Sequence, residues 1–151
     1  MRIQSDDLTG LEIAALLQEH LNDMNAVSPP ESKHALDLKA LKASDISFWT
    51  IWQQQQLAGC VALKQLNSTQ GEIKSMRSAT AFRGQGLGKL LLQHVISEAK
   101  SRGYQQLYLE TGAMEYFAPA RSLYLSFGFE SCAPFAGYKE DPNSVFMRLQ
   151  L

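Results

Sequence analysis

Three glycines and an arginine fall within six residues in Arg83-Gly84-Gln85-Gly86-Leu87-Gly88-Lys89. The segment joins a stretch that reads as a strand, Glu72 to Ser78, to one that reads as a long helix, Leu87 to Arg102. In that helix Leu87, Leu91, Val95, Ile96 and Ala99 form the apolar face, and Gly103 follows as a left-handed C-cap. Glycine accepts positive φ, so the turn can curl until successive N–H groups point into one concavity. The helix adds the positive end of its dipole at the same place. Such a turn suits a phosphate or pyrophosphate. The structural alternative is a Gly-rich connection that serves only as a turn.

Three nucleotide motifs compete for this segment. A Walker A loop places four residues between its glycine and the Gly-Lys-Ser/Thr end. Gly84 and Gly88 are one residue too close for that, and Leu90 stands where the hydroxyl belongs. A dinucleotide fingerprint, Gly-x-Gly-x-x-Gly, wants its third glycine one position later, although Glu110 lies about 20 residues on, as that motif expects. Its strand should also be almost wholly apolar, whereas Glu72-Ile73-Lys74-Ser75-Met76-Arg77-Ser78 alternates with polar residues. The third pattern, the acyl-CoA signature Arg/Gln-x-x-Gly-x-Gly/Ala, is met at Arg83, Gly86 and Gly88.

Elsewhere the chain alternates helical and strand patterns. Thr9-Gly10-Leu11-Glu12 has capping-box spacing, and an apolar stripe then runs to near Asn25. Pro29-Pro30 ends that helix, and a short helix follows from His34 to Leu41. Ile46 to Trp52 and Leu57 to Leu66 read as a hairpin turning at the glutamine run 53–56. Leu107 to Thr111 is a further strand, Phe117 to Phe127 a helix closed by Gly128, and Ser144 to Leu151 a last strand. The order is α+β, with a mixed sheet and helices packed on it.

A length of 151 residues fits one domain. Hydrophobic residues at 45% and charged residues at 19% mark a globular chain. A net charge of -1 offers no broad footprint for nucleic acid or anionic lipid. Cys60 and Cys132 read as reduced thiols, and the scattered histidines and cysteines have no metal-ligand spacing. No signal-like segment or membrane-spanning run is present, so the cytoplasm is the default location.

The Arg83–Gly88 signature, the Gln106–Thr111 strand and Ala120-Arg121-Ser122-Leu123-Tyr124 leading to Gly128-Phe129 together resemble the GNAT superfamily of N-acetyltransferases. The resemblance covers essentially the whole chain, residues 1–151, as one acetyltransferase domain. Phe117 stands where that family often has an asparagine. Segments 29–36 and 71–77, Leu109-Glu110-Thr111-Gly112, and the stretch from Pro134-Phe135 through Tyr138 to Met147 are similar to the YsnE-like branch of bacterial GNAT proteins.

The resemblance implies a mostly antiparallel sheet with helices on both faces and splayed central strands. It implies acetyl-CoA as cosubstrate, its pyrophosphate on Arg83, Gly84, Gln85, Gly86, Leu87, Gly88 and Lys89, and its pantetheine arm against the backbone of Met76 and Ser78. A small-molecule amine attacks the thioester directly. Tyr124 sits where the family commonly has a tyrosine acid, and Glu72 where it often has a catalytic glutamate; their structural alternatives are a core aromatic and a solvated strand-edge carboxylate. His34, after the Pro-Pro turn, is a second candidate base. Arg77, Tyr138 and Lys74 are candidates to meet an acidic group on the acceptor. Trp49 and Trp52 lie on opposite faces of one strand, so at most one lines an acceptor pocket. A homodimer fits such families. The alternatives are a CoA-binding regulatory module without turnover, and a nucleotide-binding oxidoreductase.

Overall fold

The structure is a computed structural model that describes residues 1–27 and 38–151. Pro29-Pro30, His34 and the first half of the expected 34–41 helix lie outside the described residues. In chain order the elements are β1 (Arg2–Ser5), α1 (Leu11–Val27), α2 (Leu38–Leu41), β2 (Ile46–Gln53), β3 (Gln56–Gln65), β4 (Gln70–Ser78), α3 (Leu87–Ser101), β5 (Gln106–Gly112), α4 (Ala118–Ser126), β6 (Glu130–Ser131) and β7 (Ser144–Gln150). Short 3₁₀ turns, Thr80–Phe82 and Glu115–Phe117, precede α3 and α4.

The expected hairpin, central strand and long helix form within a residue or two of their expected limits. Two strands are additions. β1 and β6 are short, lie at opposite edges of the sheet and are largely exposed, so neither carries the buried alternation that marks a strand in sequence. The expected capping box is also corrected. Thr9 Oγ1 donates to the nearby Asp7 Oδ1 at 2.6 Å, and α1 begins at Leu11, which leaves Gly10 as N-cap. With the helix starting two residues beyond it, Thr9 is held in the Asp7 turn, which takes both its N–H and its hydroxyl.

The strands form one sheet in the order β1-β2-β3-β4-β5-β7-β6. Every neighbouring pair is antiparallel except β4 and β5, which are parallel. Helices cover both faces. Val61 and Leu63 of β3 join Leu91, Leu92 and Val95 of α3 and Tyr124 of α4 in one core. Cys60 and Ala62, pointing the other way, join Ile13, Leu16 and Leu17 of α1 and Leu41 of α2 in a second.

Two irregularities shape the middle of the sheet. Cys60 pairs with Arg77 and Ala62 with Lys74, so three steps along β4 oppose two along β3. The bulge falls at Ser75, whose φ is 53°. A bulge bends its strand and breaks its ladder. The parallel ladder to β5 ends at Glu72 opposite Tyr108, although β4 continues to Ser78 and β5 to Gly112. From that point the two central strands part.

A cavity where two strands part

The gap between β4 and β5 opens into a cavity of about 390 Å³. β4 lines it from Glu72 to Ser78 and β5 from Leu109 to Gly112. Ala120, Leu123 and Tyr124 of α4 reach it from one face of the sheet, and His20 and Met24 of α1 from the other.

The glycine turn stands at one end, between two lining residues, Arg83 and Gly88. Gly84 and Gly86 have φ of 78° and 79°, and a Cβ on either would meet nothing within 4 Å. Glycine is needed there for backbone conformation, and the space beside the amides is open. Gly86 is the N-cap of α3. The turn is exposed from Gly84 to Gly86, and with the dipole of α3 and the half-exposed Arg83 it makes a cradle whose shape and charge suit an anion such as a pyrophosphate. Two residues contribute differently from their neighbours. Leu87 buries its side chain in the core beneath the turn. A Cβ on Gly88 would come within 2.9 Å of Leu123 Cδ2, so this glycine lets α3 approach α4.

Glu72 is 2% exposed, which removes the reading of a solvated strand-edge carboxylate. Lys74 Nζ donates to Glu72 Oε2 at 3.0 Å and to the Tyr138 hydroxyl at 2.8 Å. The Tyr138 hydroxyl in turn donates to Glu72 Oε2 at 2.7 Å. Three groups from two distant segments thus close a triangle on the cavity wall, in which the Glu72 and Lys74 side chains are nearly buried and Tyr138 is half-buried. Burial, and then the adjacent Glu72 charge, push the Tyr138 phenol well above its ordinary range.

Arg77, expected to meet the acceptor, lines the cavity and directs its guanidinium to α1. Nη2 donates to Glu19 Oε1 at 2.6 Å and to Asp23 Oδ2 at 2.7 Å. Thr80 Oγ1 also donates to Glu19. Asp23 further accepts from the Tyr116 hydroxyl at 3.2 Å and from Arg83 Nη2 at 3.4 Å. One carboxylate of α1 therefore bridges the end of β4, the glycine turn and the loop after β5. The hydrogen bond from Arg77 holds Asp23 below the usual carboxylate range against the opposing effect of burial, and the Arg77 charge and the Tyr116 hydroxyl add to it.

Tyr124 faces the cavity, is 7% exposed and packs edge-on against Phe129. Burial, then the Glu110 charge, push its phenol up, so it stays protonated. Trp49 lies in the core, and neither it nor Trp52 lines the cavity. Phe117 packs its ring over Gly112, where a Cβ would fall 2.2 Å from the ring.

The sequence reading missed His20, Met24 and Tyr116. His20 and Met24 continue the buried Leu16–Leu17 stripe of α1, and Glu19 and Asp23 form an acidic pair one residue round the helix. That four-residue spacing was legible; its target was not. Burial, then Arg77, lower the His20 imidazole to about 4. Among the described residues, no group of three or more His, Cys, Asp or Glu is placed to hold a metal, and no helix is long and apolar enough to cross a membrane.

A mixed sheet parting over a glycine turn is the framework of an acyltransferase, and the profile of the acetyltransferase (GNAT) family matches residues 13–129: the chain belongs to that family. Within it, the chain is 54% identical to the uncharacterised N-acetyltransferase YsnE of Bacillus subtilis over 151 residues, all of both chains, which places it in the YsnE-like branch. A Klebsiella pneumoniae structure assigned as an acyl-CoA N-acyltransferase superposes with a TM-score of 0.81 at 28% identity, over 99% of this chain and 97% of that one. A Bacillus subtilis acetyltransferase solved in complex with CoA shares the fold, with a TM-score of 0.70 at 21% identity over 99% and 98% of the two chains.

Proposed function

We propose that residues 1–151 act as one cytoplasmic N-acetyltransferase domain that moves an acetyl group from acetyl-CoA to the amine of a small molecule by direct attack, without a metal. The observation that carries this reading is the parting of β4 from β5 beyond Glu72 and Tyr108, directly beside an anion cradle at Gly84 and Gly86. A CoA-bound neighbour of the same fold supports it.

In this reading the pyrophosphate sits on the turn, with Arg83 as the charged partner. The pantetheine arm runs along the edge of β4 that β5 has left, against the backbone of Met76 and Ser78. An N–H of β4 receives the thioester carbonyl, whose oxygen gains charge as the amine adds. The acceptor arrives as an ammonium ion. One proton passes to Glu72 and on to solvent, directly or through water. The nitrogen then bonds to the acetyl carbon, the C–S bond breaks, and sulfur takes a proton from Tyr124, which recovers one from the nitrogen. The products are an N-acetyl amine, CoA thiol and one released proton. A phenol near ~10 and a thiol near ~8.5 differ little in water. Burial raises both in the cavity, so the transfer stays accessible.

The test has two readings on one preparation. Acetyl-CoA should raise the melting temperature saturably and NAD should not, and a panel of amines should release free thiol from acetyl-CoA. A shift with NAD alone would overturn the assignment. A CoA shift with no thiol release from any amine would leave a CoA-binding module.

A further inference from the structure

We propose that the acceptor is an amine that carries its own carboxylate, an amino acid or a close analogue, read by the Glu72–Lys74–Tyr138 triangle. The inference rests on the acetyl-transfer reading and names its substrate class.

The argument starts from charge balance. Side-chain exposure is 3% for Glu72 and 9% for Lys74, so the pair is almost wholly withdrawn from water yet borders the cavity. Each buried charge is tolerable because the other is in contact with it. Acetyl transfer disturbs that balance. Once Glu72 accepts a proton from the acceptor, the Lys74 ammonium loses the anion it touches. An unpaired buried cation is among the costliest states a protein can hold. An acceptor with a carboxylate removes the problem, because loss of the ammonium proton leaves the acceptor itself negative. The anion then lies where Lys74 needs one.

The donor count agrees. An ammonium has three N–H donors. Lys74 gives one to Glu72 Oε2 and one to Tyr138, which leaves a third for an incoming oxygen. Glu72 uses Oε2 for its contacts with both Lys74 and Tyr138, so Oε1 stands as the counterpart for an ammonium. A free donor and a free acceptor side by side match the two ends of a zwitterion. The other charges at the cavity differ in kind. Arg77 and Arg83 already meet Asp23 across its mouth, and Glu110 faces it from β5. His20, neutral at physiological pH, supplies no counter-charge. Lys74 is therefore the cation placed to receive a carboxylate beside the base.

The experiment compares matched acceptors on the full chain with acetyl-CoA. A series of α- and ω-amino acids is assayed against the carboxamide of each, by thiol release. At least one acid should exceed its amide in kcat/KM by tenfold or more, with the difference mainly in KM. In Lys74→Met that ratio should fall to about one. Lys74→Arg, which keeps a cation, should retain part of it. Equal or better use of the amides throughout, or a preference that survives Lys74→Met, overturns the substrate class while leaving acetyl transfer intact. Thiol release with neither kind of amine overturns both. The acid-to-amide ratio of the unsubstituted chain decides the matter even if Lys74→Met does not fold.

Discussion

Replacing Gly86 with alanine separates what the glycine turn does for the fold from what it does for the ligand. Its φ of 79° lies in the left-handed region, and an added methyl meets nothing within 4 Å. The folding cost is therefore conformational rather than steric, about 1–2 kcal/mol. For a chain of this length 1 kcal/mol corresponds to about 2–4 °C, so the melting temperature should fall by about 2–8 °C. The ligand effect is separate. Acetyl-CoA at a hundred times its Kd stabilises the unsubstituted chain by about 2.7 kcal/mol, a shift of about 5–11 °C. A methyl in the cradle that removes two charge-assisted hydrogen bonds, at about 1.5 kcal/mol each, weakens affinity about 100-fold. The same concentration then stabilises by only about 0.4 kcal/mol, or ~1 °C. Gly103→Ala is the control. Its φ of 81° is left-handed too and its methyl also meets nothing within 4 Å, but it lies at the other end of α3, so the conformational cost is alike and the ligand shift should persist. The assay is thermal denaturation of both variants with and without acetyl-CoA. A full ligand shift in Gly86→Ala would refute the cradle and place the phosphates elsewhere.

Tyr124→Phe should lower kcat by about 10²–10⁴ with little change in melting temperature, because the ring stays in place; full turnover in the folded variant would remove Tyr124 from the chemistry. Asp23→Asn should tighten acetyl-CoA binding by up to about fivefold in calorimetry, since Arg83 would no longer be drawn to a surface carboxylate at 3.4 Å; weaker binding would show that Asp23 orients Arg83 rather than competes for it. The His20 imidazole is neutral in the fold down to about 4, whereas the unfolded chain protonates it near ~6.5. Its contribution is present above ~6.5 and lost as pH falls from there toward 4, by up to roughly 3 kcal/mol. His20→Gln should flatten melting temperature against pH across that window, and an unchanged slope would assign it to other groups.

What could be read from the sequence was local. A left-handed glycine at a helix end has the same requirement in any fold, so Gly86 before α3, Gly103 after it and Gly128 after α4 were legible in their places. Strong periodicity marked α3, and β-branched and aromatic runs marked β2. The parting of β4 from β5 was expected only through the family resemblance, and the bulge at Ser75 beyond it carries no glycine or proline signal in the sequence. The candidate site divides the same way. The turn residues are contiguous, and their pattern is visible as a string. The Glu72–Lys74–Tyr138 triangle joins residues 64 to 66 positions apart, and nothing in either segment states that they touch.

The same reasoning explains why the partners of Arg77, which also borders the cavity, could not be read from its strand. On its strand it looks like a solvated cation, free for any anion. Its partners lie 54 and 58 residues earlier on α1. Glu19 and Asp23 are about a third exposed, so these acids could be hydrated without Arg77, whereas the guanidinium at 5% exposure could not. The dependence runs from strand to helix: a buried cation on β4 requires acids on α1, and meeting them sets α1 across the open end of the sheet. The same contact puts Asp23 within reach of Arg83 and aims His20 and Met24 into the cavity. Through these contacts Arg77 helps decide which side chains border the cavity, and with its guanidinium paired to α1, Lys74 is left beside Glu72 on the cavity wall.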